Sequence, residues 1–364
     1  MRIILAVVLL ALACSQGCDP TGKSPAKPPP TAPIRPLPPT PAVSTGNDPG
    51  DMVALYAKAC ELGDPQKCLD VGGMYLDGKG ARQDDGLALE AFRRACDGGN
   101  AKGCGILAGM VQMGRSTAKD EARAALHHGK ACAGGVASSC VSLGRLYRDG
   151  SGVRRDSARA VALFAQGCQA REALGCFFVG HMFAEGKGVK RDVKRAVGLY
   201  SDACDANMGG GCNNLGVIYA TGKGAARDIS RALALFQKAC ALGDKVGCQN
   251  YESNRRVQLA ESALDAAELW REYDGNEVAA DNRWKGKQIT VRGTVQGITK
   301  DFTNAIIVQL RSPNDFMPTS AYVKESEAEK AASLRKRQAI ILTCTCSGAV
   351  MGSPVLRDCT VEGG

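Results

Sequence analysis

Aromatic residues make up only 5% of this 364-residue chain, so large rings cannot carry its packing alone. Histidine is scarcer: His127, His128 and His181 are the whole supply. No C-x2-C pair occurs, which removes the usual spacing of a zinc site, and no metal or other cofactor is expected. No K-T-G tripeptide accompanies the S-x-x-K matches, a combination that serine enzymes acting on penicillins require. Beyond the first residues no apolar run is long enough to span a bilayer.

Cysteine is what the chain has in quantity, with 17 residues. Twelve of them obey one rule. Cys60, Cys96, Cys132, Cys168, Cys204 and Cys240 are spaced by 36 residues, and Cys68, Cys104, Cys140, Cys176, Cys212 and Cys248 keep the same period. A fixed period of this length marks a solenoid of helical hairpins. One C-x7-C pair per unit implies one disulfide per hairpin. That many disulfides belong outside a reducing cytosol.

The same phase runs through other positions. Asp84, Asp120, Asp156, Asp192 and Asp228 recur, and Asp48 before Pro49 completes the series. Asp accepts bonds from the free N–H groups of a helix start, so each is an expected N-cap. Ala88, Ala124, Ala160, Ala196 and Ala232 follow, four residues ahead of Phe92, His128, Phe164, Tyr200 and Phe236. That spacing puts them on one helix face. A second helix carries the second cysteine and then a small residue: Gly72, Ala108, Gly144, Gly180 or Gly216. A Gly-x-Gly such as Gly150/Gly152 closes the unit, because glycine suits the backbone past a helix end. The second unit departs, with His128 at the aromatic site, Val111 at a Tyr site and Ser116 at a loop glycine site.

At the N-terminus, Met1-Arg2 and the apolar run Ile3 to Ala13 read as a secretory signal. Ala11-Leu12-Ala13-Cys14 resembles a bacterial lipobox, with Cys14 lipidated; ordinary secretion with cleavage after Ala13 is the alternative. Domain limits follow: 1–18 signal and lipobox, 19–47 a Pro-rich linker, 48–254 the repeats, 255–364 a helix plus a small barrel. In the last segment Asn254 to Trp284 reads as helix. Period-two patterning then starts at Ile289, and five short strands with a helix after the third fit an OB-like barrel. Cys346 and Cys359 are expected to pair between its last strands. Cys344 lies on the same strand face and can replace Cys346; Cys18 and the unused thiol remain.

The repeat positions resemble the Sel-like family, related to tetratricopeptide repeats, and the even C-x7-C spacing is similar to the Hcp-type cysteine-rich secreted proteins. The resemblance implies a scaffold that binds protein or peptide. Some Hcp-type relatives bind or hydrolyse penicillins, which brings Ser116 and Lys119 of Ser116-Thr117-Ala118-Lys119 forward as the candidate nucleophile and its activator. The repeat phase gives them another reading, with Ser116 at a loop glycine position and Lys119-Asp120 matching Arg155-Asp156.

The C-terminal segment resembles a bacterial OB-fold family named for tRNA-anticodon-binding domains. The match lies in Tyr273, Asn276 to Asp281, Lys285-Gly286-Lys287, Val291-x-Gly293-x-Val295, Cys346-Ser347-Gly348 and Val355-Leu356-x-Asp358-Cys359. Charge argues against nucleic acid. Residues 263–364 hold 13 Lys/Arg and 13 Asp/Glu, so the whole net +9 lies before them. The sequence therefore reads as a bacterial envelope lipoprotein, periplasmic or on the outer membrane. It is expected to meet a protein or peptide, an acidic one suiting its basic repeats, and a membrane through the lipid. No nucleic-acid partner and no established catalytic residue are expected.

Overall fold

A computed structural model describes residues 49–363. The expected signal segment with Cys14, the linker with Cys18, and the Asp48 cap lie outside the described residues. The chain falls into two compact units, the first ending at Arg94 and the second starting at Ala95.

Twelve helices form six hairpins. The first helices of the units are α1 (Pro49–Glu61), α3 (Asp85–Asp97), α5 (Glu121–Ala133), α7 (Ser157–Gln169), α9 (Val193–Asp205) and α11 (Ile229–Ala241). Their partners are α2 (Pro65–Asp77), α4 (Ala101–Met113), α6 (Ala137–Asp149), α8 (Ala173–Glu185), α10 (Gly209–Thr221) and α12 (Lys245–Ser262). Each cysteine pair is joined: Cys60–Cys68, Cys96–Cys104, Cys132–Cys140, Cys168–Cys176, Cys204–Cys212 and Cys240–Cys248. Their Cα atoms are 4.4–4.6 Å apart, closer than helix axes normally pack, because both cysteines flank the tight turn of the hairpin. Disulfides in this number fit an extracytoplasmic protein. Among the described residues, no helix is long and apolar enough to cross a membrane.

Small residues set how the units stack. A Cβ added to Gly72 would lie 2.8 Å from Phe92 of the next first helix. Gly144 against Phe164, Gly180 against Tyr200 and Gly216 against Phe236 repeat the contact at 2.7, 3.1 and 2.7 Å. All four rings are buried. At these four interfaces a buried ring is thus seated on a glycine.

The period ends with α12, which runs 18 residues where every other repeat helix has 13. The expected domain limit at 254/255 falls inside it. The single helix expected over 254–284 is instead broken twice. After Ser262, Leu264–Asp265 form a short strand β1 beside Val291–Arg292. Asp265 then caps α13 (Ala266–Gly275) by accepting the Ala267 N–H, and Asn276 caps α14 (Glu277–Trp284) by accepting the Ala279 N–H. Both breaks fall at side chains that compete with the helix for backbone donors.

The remaining strands are β2 (Gln288–Lys300), β3 (Ile306–Leu310), β4 (Thr319–Val323), β5 (Ala339–Val350) and β6 (Ser353–Gly363), with α15 (Ala328–Ala332) between β4 and β5. They pair in the order β2-β3-β4-β6-β5, and β5 returns to β2 to close the barrel. Val291, Val308, Leu310, Leu342 and Leu356 fill it. Period-two burial along β5 shows why this segment reads so clearly as strand.

Candidate interaction surfaces

The loops between hairpins are built to one plan. Asp84, Asp120, Asp156, Asp192 and Asp228 each accept backbone N–H bonds at the start of a first helix. Gly150, Gly186 and Gly222 end the second helices at φ 70–76°, where a side chain is strained. The second glycine of each Gly-x-Gly does something else. A Cβ on Gly152 would be 2.2 Å from the Glu121 carbonyl carbon, on Gly188 2.4 Å from Ser157, and on Gly224 2.2 Å from Val193. Each loop thus rests on the helix start that follows the previous loop, and the loops form one contiguous row.

Arginines sit on this row in a repeated pose. Arg159 lies over the Tyr147 ring at 4.6 Å, Arg195 over Phe183 at 4.9 Å and Arg231 over Tyr219 at 4.3 Å. At the equivalent place in the second repeat Val111 offers no ring, and Arg123 pairs with Asp120 at 3.3 Å. Arg191 and Arg227 donate to the last carbonyls of the preceding helices, at Ala184 and Ala220.

Ser116 occupies the loop glycine position with φ 55°, exposed. Lys119 is bound to Glu121 at 3.0 Å. This pairs the lysine with the start of the next helix, as part of the loop. The S-x-x-K match thus belongs to the loop plan.

His128 is 5% exposed; its Nε2 meets Gln112 Oε1 at 3.3 Å while Nδ1 has no partner. The repeat register sets it against Ala108, where other units set Phe or Tyr against glycine. The smaller imidazole leaves space for the alanine methyl. Burial, with His127 adding to it, lowers the His128 pKa from 6.5 to about 4. Between those values the unfolded chain binds the proton and the folded one does not, so stability is full above pH 6.5 and falls as pH drops toward 4. The loss is about 3 kcal/mol. The double change Ala108→Gly with His128→Phe should therefore fold and lose most of this acid slope in denaturant titrations. An unchanged slope would exclude His128 as its source. His127, also lowered by burial, contributes the remainder. His181 is an ordinary surface residue paired with Glu185 at 3.3 Å.

The barrel disulfide is not the expected Cys346–Cys359 pair. Cys344 bonds Cys359, and Cys346 is left as a buried free thiol beside the Tyr273 hydroxyl at 3.3 Å. Register is the reason. A bulge shifts β6 so that Cys346 faces Leu356, three residues short of Cys359, while Thr343 faces Thr360. Asp358, at φ 52°, carries the extra residue. Both Cys344 and Cys346 point into the core, as their spacing requires. Sequence reasoning also missed a cleft of about 550 Å³ between α12 and the barrel, lined by Val257, Ala260, Ile341, Arg256 and Arg292. It exists because α12 runs on to Ser262, and no local signal tells where that end faces the barrel.

These features define a disulfide-stapled helical-repeat protein that ends in an OB-type barrel. The Sel1 repeat family model matches residues 53–64, 68–100, 137–171, 173–208 and 210–244, and the tRNA_anti-like model matches 230–360. The irregular stretch from Ala101 to Val136, which holds Ser116 and His128, lies outside the matches. The chain is thus a cysteine-rich Sel1-repeat protein with a C-terminal tRNA_anti-like domain. Sel1 repeats mediate protein–protein interaction.

Among solved structures, the chain is similar to a protective antigen of uropathogenic Escherichia coli with an SLR fold. Identity is 25%, coverage 62% of this chain and 52% of that one, and the TM-score 0.53. The chain thus spans about half the length of that protein. A Sel1 repeat protein from Oxalobacter formigenes is 23% identical over 54% of this chain and 87% of its own, with TM-score 0.47. Helicobacter pylori cysteine rich protein B is 31% identical over 36% of this chain and 94% of its own, with TM-score 0.31. No curated protein matches significantly.

Proposed function

We propose that the protein is a bacterial cell-envelope lipoprotein, anchored through Cys14 and raised on the linker 19–47, whose repeats hold a protein or peptide partner. One observation carries this reading: six successive hairpins carry equivalent disulfides, and their polar recurrences serve capping and stacking. Repeat arrays of this kind offer extended surfaces for binding. The Ser116 loop and the Lys119–Glu121 pair speak against hydrolysis of β-lactams.

In-cell crosslinking of the mature protein, with mass spectrometry of what is captured, tests the reading. A dominant envelope protein joined to repeat residues is the expected result. Glycan fragments without protein would overturn it. So would hydrolysis of a chromogenic β-lactam by the wild type that disappears in Ser116→Ala.

A further inference from the structure

The row of inter-hairpin loops carries an unusual charge. The stretches 150–159, 186–195 and 222–231 together hold eleven Lys/Arg and three Asp. All eleven basic side chains are exposed. The three aspartates, Asp156, Asp192 and Asp228, are the helix caps and accept backbone N–H bonds. Only Lys187, with Glu185, and Arg227, with Glu261, of the eleven are in ion pairs among the described residues. The contacts at Gly188 and Gly224 bring the three loops against one another, so their charges form a single ridge.

We propose that this ridge is the docking face for an acidic polypeptide segment; the proposal rests on the scaffold reading and names its partner chemistry. Three features select that occupant. Arg159, Arg195 and Arg231 each lie over a ring, 4.6, 4.9 and 4.3 Å from its centre. Stacking leaves the N–H edges of a guanidinium open, and those edges match a carboxylate in two parallel bonds. Each stack recurs once per hairpin, so an extended chain with spaced Asp or Glu side chains meets one fork per repeat, with Lys190, Lys194 and Lys223 between them.

A single-stranded nucleic acid would need free aromatic faces for its bases. Tyr147, Phe183 and Tyr219 are already covered by arginine. Stable docking on a lipid surface adds apolar insertion to charge. None of the large exposed apolar side chains lies in these three stretches.

The test uses the full chain and a labelled oligo-glutamate peptide, read by fluorescence anisotropy at low salt. The variant Lys190→Glu with Lys194→Glu reverses two exposed side chains that have no ion pair. The control Lys300→Glu with Lys336→Glu makes the same net change on the barrel. Expected is salt-sensitive binding by the wild type, weakened about tenfold or more by the ridge variant and little by the control.

Equal weakening in both variants would show attraction by net charge only and overturn the proposal. Absence of wild-type binding overturns it too, as does preference for a single-stranded oligonucleotide or a phosphatidylglycerol vesicle over the peptide. Crosslinking separates this failure from that of the scaffold. A partner captured equally by wild type and ridge variant removes the ridge and keeps the scaffold. No protein captured by the wild type removes the scaffold itself.

Discussion

Reduction under native conditions should unfold the repeat helices while the oxidised protein stays folded. Each repeat disulfide closes a loop of sequence separation 8. In the chain-entropy account such a loop contributes about 2–3 kcal/mol. Six of them together reach about 15 kcal/mol, as much as the whole stability of a typical domain. The apolar clusters between hairpins, such as Val141, Val161, Phe164, Val179 and Met182, are small and compensate only in part. The expected result is loss of helical circular dichroism and of amide protection across the repeats on adding reductant. Cys→Ser in a single pair should weaken its own hairpin most, since repeats contact mainly their neighbours. An unchanged unfolding midpoint, with all thiols shown by mass to be free, would sink the stapling argument.

Gly152→Ala should be among the most damaging single methyl additions in the chain. Gly152 has φ 68°, and its added Cβ would sit 2.2 Å from the Glu121 carbonyl carbon and 2.4 Å from the Ala122 nitrogen. Both neighbours are helix backbone and cannot swing away. The left-handed backbone alone costs about 1–2 kcal/mol with a side chain, and the collision adds about 1–3 kcal/mol or more. Gly243→Ala supplies the comparison. Gly243 has φ 84° and nothing within 4 Å of its added Cβ, so only the backbone cost of about 1–2 kcal/mol applies. Chemical denaturation of the two variants measures the difference. Equal losses would mean that the loop does not press on the helix start, and the contiguous row of loops would lose its support.

Much of this was legible because the period makes each signal appear several times. One Asp before a helix is weak evidence, but five at the same phase mark five caps, and the structure shows all five accepting backbone bonds. The cysteine spacing led to the hairpin disulfides for the same reason. In the barrel each signal occurs once, so a single residue carries little weight there. Asp265 and Asn276 stand alone, with no repeat to mark them as caps, and the single helix expected over 254–284 gives way to two caps and a short strand. The Cys344–Cys359 pair depends on a bulge at Asp358, and a one-residue change of register has no counterpart in composition or period.

The loop row divides along the same line. Its arginines were countable, and the excess charge of the repeats was evident from the neutrality of residues 263–364. What local pattern could not supply was contact between one unit and the next. Gly152, Gly188 and Gly224 read as helix stops, but the structure shows them pressed on the preceding helix start, which turns separate basic loops into a ridge. The seating of Phe164 on Gly144 likewise joins residues 20 positions apart that belong to different hairpins. By itself the sequence determined the repeat, its staples, its caps and the class of the barrel, because those rest on chemistry within about one unit of chain. Tertiary structure alone decided the strand register, the choice of cysteine and the continuity of the charged surface, because these depend on how separately formed elements meet.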